Sequence, residues 1–358
     1  MASLTETAFK ARQVIKYGGV AFVSILALWW AGVAAVNYYK ELNPPPVPSP
    51  TVDFGKLPEI DFGPEKGRPE IELELPKGVI PPFSDRMAVF YAPTKRSGFL
   101  DPERAIETAA SMGFLFEPEQ PTETRYIWRK QDVLNSTLDM NIVSGHFGLT
   151  RAWQNNPALL ALTNFGSNTK VVGNAVSFMQ KSRLLVDDII GNEKITYLRV
   201  RADRLIPALS LSESEFVQID FFRNPYRIVD EEMKELIAEY EFYRPDPGRG
   251  LVRATLSGST DIREQMIGLD YDYVKVEYGN SGTYPIKTGE QAWEELKDGG
   301  GFVTDGSPTS STTKIRRVLL GYYDSSEPQK FSMPIYVFLG DNDFIAYVSA
   351  VSGEWVSK

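Results

Sequence analysis

The stretch Tyr17–Tyr39, YGGVAFVSILALWWAGVAAVNYY, carries no charge. At about 1.5 Å rise per residue its 23 residues make a helix of about 34 Å, enough to cross a hydrocarbon core of about 30 Å. Lys10, Arg12 and Lys16 precede it against a single Glu6, whereas Lys40 beyond it is cancelled by Glu41. Lys and Arg collect on the cytoplasmic side, so the expectation is an N-in signal anchor with the bulk of the chain extracytoplasmic. Tyr17, Tyr38 and Tyr39 stand at the two ends, where amphipathic rings suit the headgroup level; Trp29 and Trp30 lie nearer the middle. A cleaved signal peptide would use the Ala34-Ala35 end, but the apolar run is longer than a usual signal core.

Composition limits the reading of the chain beyond the anchor. The chain has 358 residues and a net charge of −9; its first 42 residues hold four positive and two negative side chains, net +2, which leaves −11 for the rest. That excess speaks against a nucleic-acid partner, because phosphate binding needs a basic face. There is no Cys, so thiol chemistry, disulfides and thiolate metal sites are excluded, and one His rules out a multi-His metal site. No cofactor or metal is expected.

Outward from the anchor, residues 40–84 are rich in Pro and read as a semi-rigid spacer. Two echoes, Val52-Asp53-Phe54-Gly55 and Ile60-Asp61-Phe62-Gly63, suggest equivalent turns, and Ile71–Leu75 alternates like a short strand. A first helix-plus-meander module is expected over 85–154. Asp101-Pro102-Glu103 opens its helix, Gly113 stops it, and strands follow at 124–130, 137–143 and 147–153. A middle α+β module over 155–285 holds a helical stretch before Arg183 and strands at 194–202, 214–222, 251–257 and 271–278; 230–240 reads as helix or loop. The C-terminal module, 286–358, repeats the first. Thr288-Gly289-Glu290-Gln291 is a capping box, Gly299-Gly300-Gly301 a stop, and three strands follow. Ala105-Ile106-Glu107 matches Ala292-Trp293-Glu294 as a weak internal repeat. The expected fold is therefore α+β: residues 1–16 as a cytoplasmic tail, 17–39 as a transmembrane helix, then antiparallel helix-on-sheet modules.

Within the C-terminal third, Ala292 and Leu296, then Leu320-Gly321-Tyr322-Tyr323, Pro334-Ile335-Tyr336-Val337, Ala350 and Gly353 follow in an order that resembles the extracytoplasmic YycI/YycH-type regulatory proteins. The resemblance covers roughly Thr288–Trp355. It implies cystatin-like or PepSY-like helix-on-sheet units and a role in binding a membrane sensor histidine kinase, with no catalytic residues to carry over. The chain departs from that pattern in its Pro-rich stretch and its middle region.

Candidate chemistry is thin. His146 follows Ser144-Gly145 in a hairpin turn and reads as a surface residue, not half of a nucleophile–base pair. Asp341 and Asp343 read as turn residues and not as a calcium loop. The acid runs Asp187-Asp188 and Asp230-Glu231-Glu232 read as solvated faces, since glycoside chemistry needs two acids facing each other across a cleft. Tyr322, Tyr323, Tyr336 and Tyr347 on the last sheet are the candidate partner-binding residues, because Tyr is favoured at interfaces. The expectation is thus a non-enzymatic, membrane-anchored binding protein that regulates or scaffolds another envelope protein. A structural or ligand-binding envelope component is the alternative, and an extracellular carboxylate hydrolase the third reading.

Overall fold

A computed structural model of the chain describes residues 4–42, 49–65, 67–94, 101–230, 234–304 and 312–357. The protein is mixed α+β, with an N-terminal apolar helix and a sheet-rich remainder. It divides into two compact units, Met1–Ser49 and Pro50–Lys358. Helix α1 (Leu4–Leu42) already includes most of the expected tail. Within it Ile15–Tyr39 has a mean hydropathy of 2.1 and none of it is buried, so this helix is long and apolar enough to cross a membrane.

The Pro-rich stretch corrects the first expectation. From Pro50 onward it is folded onto the second unit and is not a spacer; Pro44, Pro45, Pro46 and Pro48 lie outside the described residues. Strand β1 (Leu57–Pro58) pairs in parallel with Val356–Ser357, and β2 (Ile71–Leu73) with Thr313–Ile315. The two Asp-Phe-Gly turns do lie on the body, with Gly55 at φ 65° and Gly63 at φ 82°. The Tyr284 hydroxyl accepts from the Phe54 N–H and donates to the Gly55 carbonyl, both at 2.9 Å. Arg68 donates from Nη1 to the Leu296 and Gly300 carbonyls, at 2.8 and 2.9 Å. Proline removes donors but not apolar surface. Leu57, Ile60 and Ile80, spaced between the prolines, are all buried and hold the stretch down.

Strand β3 (Arg86–Tyr91) leaves the expected first module and joins a separate sheet, described below. Helix α2 (Asp101–Ser111) opens at Asp101-Pro102 with Asp101 and Glu103 in its first turn. Strands β4 (Glu119–Thr122), β5 (Arg125–Lys130), β6 (Ser136–Asn141) and β7 (Phe147–Arg151) follow as a meander. Helix α3 (Asn168–Lys181) is capped by the Ser167 side chain, which accepts from the Lys170 N–H. It leads to β8 (Glu193–Arg201), β9 (Arg204–Pro207), β10 (Phe216–Phe221), the hairpin of β11 (Tyr226–Val229) and β12 (Leu236–Tyr240), and the short β13 (Phe242–Tyr243). Then come β14 (Val252–Ser257), the single-turn α4 (Ile262–Gln265), β15 (Met266–Tyr271) and β16 (Glu277–Pro285). The stretch 234–240, read as helix or loop, is thus largely strand: Tyr240, Glu239 and Ala238 pair with Tyr226, Arg227 and Ile228.

The expected first and middle modules share one nine-stranded antiparallel sheet, in the order β4-β5-β6-β7-β15-β14-β10-β8-β9. Its middle is the β7–β15 pair, where Leu149 faces Leu269 and is flanked by Gly148 opposite Asp270 and Thr150 opposite Gly268. Outward from this pair the strands run β7-β6-β5-β4 on one side and β15-β14-β10-β8 on the other. Each half follows its own helix. Trp128, Leu138, Leu149, Ile219, Ala254 and Leu269 alternate onto the face that meets Ala105 and Ala109 of α2 and Val171, Ala175 and Met179 of α3.

Helix α5 (Gly289–Lys297) has the anticipated capping box, with Thr288 and Gln291 bonded reciprocally. After β17 (Phe302–Val303) come β18 (Thr313–Tyr323), β19 (Phe331–Ser332), β20 (Pro334–Gly340), β21 (Ile345–Ser349) and β22 (Val356–Ser357). The C-terminal sheet runs β13-β18-β20-β21-β17, with β2 paired to the opposite end of β18 from β13, on the side away from β20. A third sheet, β16-β3-β19, holds the strand that left the first module. The three strands expected beyond α5, β18, β20 and β21, pair antiparallel in that order, as those beyond α2 do; the short β17, which was not expected, adds to the outer side of β21.

Candidate functional site

The four tyrosines expected at a partner surface lie in the core. Tyr322, Tyr323, Tyr336 and Tyr347 are at most 4% exposed. Each hydroxyl donates to a backbone carbonyl: Ala88 at 3.0 Å, Phe62 at 3.4 Å, Lys287 at 2.6 Å and Arg244 at 2.8 Å, respectively. Burial pushes the Tyr336 hydroxyl up to about 12 and raises the other three as well. These rings tie the Pro-rich stretch, β3 and the residues after β13 to the C-terminal sheet. Sheet alternation alone placed half of them inside; the sheet is covered on both faces, so all four are inside.

The seam between the nine-stranded sheet and the C-terminal sheet is polar and buried. Arg223, just beyond β10, is 2% exposed. Its Nη1 donates to Asp188 Oδ2 at 2.5 Å, its Nε to Asp324 Oδ2 at 3.0 Å, and its Nη2 to the Val274 carbonyl at 2.6 Å. The guanidinium carbon also lies 5.1 Å from the Tyr273 ring centre and 5.4 Å from that of Phe242. Burial opposes the charge, but Asp324 and Asp188 outweigh it and hold the guanidinium protonated. Asp188 also accepts from the Tyr273 hydroxyl at 3.0 Å. So one half of the expected acid pair Asp187-Asp188 is a structural counter-ion and not a solvated face.

Arg244 lies in the same seam, 4% exposed, with Nη2 3.3 Å from Ser326 Oγ and 3.5 Å from Asp272. Among the described residues its Nε and Nη1 meet no acceptor. His146 belongs to this group too, which corrects its reading as a surface residue. It is half-buried, and its Nε2 has no partner among the described residues. Burial lowers its pKa, against the opposing pull of Asp272 and Glu327. Ser144 serves the turn, its Oγ accepting from the His146 N–H at 3.2 Å. Beside the seam runs a cleft of about 660 Å³, lined among others by Val143, Tyr271, Tyr273, Lys275 and Glu327. Its volume falls in the range of small-ligand sites.

The remaining acids do not converge. Asp341 is paired with Arg316 at 2.8 Å, which consumes the carboxylate a cation would need. Glu231 and Glu232 lie outside the described residues. Among the described residues no group of three or more His, Asp or Glu could hold a metal ion. The β11–β12 hairpin exposes Ile228, Val229, Leu236 and Ile237, the last at 65%. Neither this hairpin nor the Arg223 network was found by sequence reasoning. The one signal for the latter was an Arg directly after the apolar strand Phe216–Phe222, where a charge needs partners from elsewhere.

No family model matches the chain, and no curated protein matches it. Among solved structures, an uncharacterized protein from Eubacterium rectale aligns over 75% of this chain and 85% of its own, at 10% identity and a TM-score of 0.30. A likeness at that level carries no argument about fold or function.

Proposed function

We propose that the chain is a single-pass, N-in membrane protein whose extracytoplasmic body regulates or scaffolds another envelope protein, such as a sensor kinase. The observation that carries this reading is Ile15–Tyr39: 25 residues of hydropathy 2.1 with no part buried. Apolar surface of that extent is stable in lipid and costly in water. Lys10, Arg12 and Lys16 on its N-terminal side set the orientation. The apolar β11–β12 hairpin is the element we assign to the partner, since exposed Ile, Leu and Val grouped on one hairpin mark an interaction site. In the same reading α2 and α3 on the shared nine-stranded sheet and α5 on the C-terminal sheet are helix-on-sheet units in keeping with the resemblance of the C-terminal third to YycI/YycH-type proteins.

Protease added to intact spheroplasts is expected to digest the body and leave the N-terminal residues protected; protection of the body overturns the orientation. Deleting the gene is expected to change the phosphorylation of a sensor kinase, and Ile237→Asp to reproduce the deletion. Unchanged phosphorylation in the deletion strain removes the signalling role. A second reading, a ligand-binding envelope component without a signalling role, is favoured by the 660 Å³ cleft at the seam.

A further inference from the structure

A pocket of about 270 Å³ opens where the C-terminal ends of α2 and α3 meet the ends of β5, β6 and β7. Lys130, Arg151, Lys181 and Arg263 line it, against the single carboxylate of Asp132. Lys130 is paired with Asp132 at 2.9 Å, and Arg263 with Asp261 at 2.6 Å. Arg151 and Lys181 have no acidic partner within ion-pair distance among the described residues.

Arg151 is the unusual member. It is 8% exposed, and its Nη1 donates only to the carbonyls of Arg263, at 2.5 Å, and Ile262, at 3.4 Å. Burial works against this charge more than Asp132 and Asp261, which act on it from a distance and without an ion pair, offset it. The helix ends do not account for it. The last carbonyls of α2 already accept from Gly113 and Phe114, and those of α3 from Arg183 and Leu184, in the same Schellman arrangement. Two helix C-termini supply roughly half a negative charge each, so with Asp132 and with the Asp261 that pairs Arg263 the four cations still keep an excess of about one positive charge. Met112, Phe114 and Phe178 add an apolar wall.

We propose that this pocket binds a small ligand through an oxyanion, a phosphoryl or carboxylate group, with Arg151 as the anchor and Lys181 as the second cation. The volume suits a small organic acid or a phosphate-bearing fragment. The inference is independent of the anchored-binding reading, since it needs neither a membrane nor a protein partner.

The test is calorimetric titration of the full chain in detergent, at low ionic strength, with inorganic phosphate and separately with succinate. Saturable binding of at least one probe is expected, with a Kd of about 5 mM or below. Lys181→Gln is expected to weaken it about fivefold, Arg151→Met to abolish it, and Lys297→Gln on α5 to leave it unchanged. Lys181 is exposed and, among the described residues, unpaired, so its variant reports on binding even if Arg151→Met folds poorly. Phosphate alone assigns the phosphoryl group, and succinate alone the carboxylate. No saturation by either probe up to about 20 mM, or native affinity in Lys181→Gln, overturns the site.

Discussion

Arg223 and Arg151 are both buried arginines at strand ends of the nine-stranded sheet, and the fold treats their charges in opposite ways. Arg223 has Asp188, Asp324, one carbonyl and two aromatic rings around it. Arg151 has two carbonyls and an open pocket. A guanidinium whose counter-charges come from the turns beside two separate sheets is a fastener. One that makes no ion pair among the described residues, with Asp132 and Asp261 acting only from a distance, is a receptor. Burial alone does not separate the two; the partners do.

Replacement by Met should separate them most sharply. Arg223→Met leaves Asp188 and Asp324 uncompensated at the seam and is expected to cost about 3–5 kcal/mol, measured by urea unfolding of the full chain in detergent. A loss below about 1 kcal/mol would mean that the seam is held by apolar contact and not by this network. Arg68 is the intermediate case, since it bonds the Leu296 and Gly300 carbonyls at the end of α5 while paired with Glu65 at 3.2 Å. Arg68→Gln should cost about 1.5–3 kcal/mol, and hydrogen exchange should rise in α5 and in the Pro-rich stretch together. If exchange rises in only one of them, Arg68 does not join the two.

Arg151→Met should cost about 1 kcal/mol or less, because removing an uncompensated charge offsets the loss of two carbonyl bonds. A cost like that of Arg223→Met would make Arg151 a structural residue and erase the contrast. The smallest effect concerns His146. Burial keeps its folded pKa below the unfolded value, near 6.5. The unfolded chain therefore takes up the proton first. Stability is fully present above about pH 6.5 and falls as the pH drops through that value toward the folded pKa. His146→Gln should flatten that part of the stability–pH curve, and an unchanged slope would place the ring in water.

Legibility followed the range of the interaction. Helix α2 could be read from Asp101-Pro102 and Gly113, and α5 from Thr288, Gln291 and the glycines at 299–301, because caps and stops act within one turn. The last three strands were legible because the apolar runs at β18, β20 and β21 are bounded by turn residues. The Pro-rich stretch misled because composition reports stiffness but not what Leu57, Ile60 and Arg68 find 200 or more residues away. A real echo went unseen: Phe147-Gly148-Leu149 on β7 and Ile267-Gly268-Leu269 on β15 meet at the centre of the large sheet. Three residues per copy are too few to stand out until pairing sets them side by side.

By itself, then, the sequence determined an uncharged span long enough to cross a bilayer, an acidic α+β remainder without cysteine, and the local starts and stops of its helices. Those are properties of single residues and of one or two turns. The tertiary structure decided that the Pro-rich stretch is part of the body, that two expected modules share a sheet, that four tyrosines are core, and which buried arginine is partnered and which is open. Each of these depends on a partner distant in sequence, and neither composition nor periodicity records the partner of a buried charge or of a strand edge.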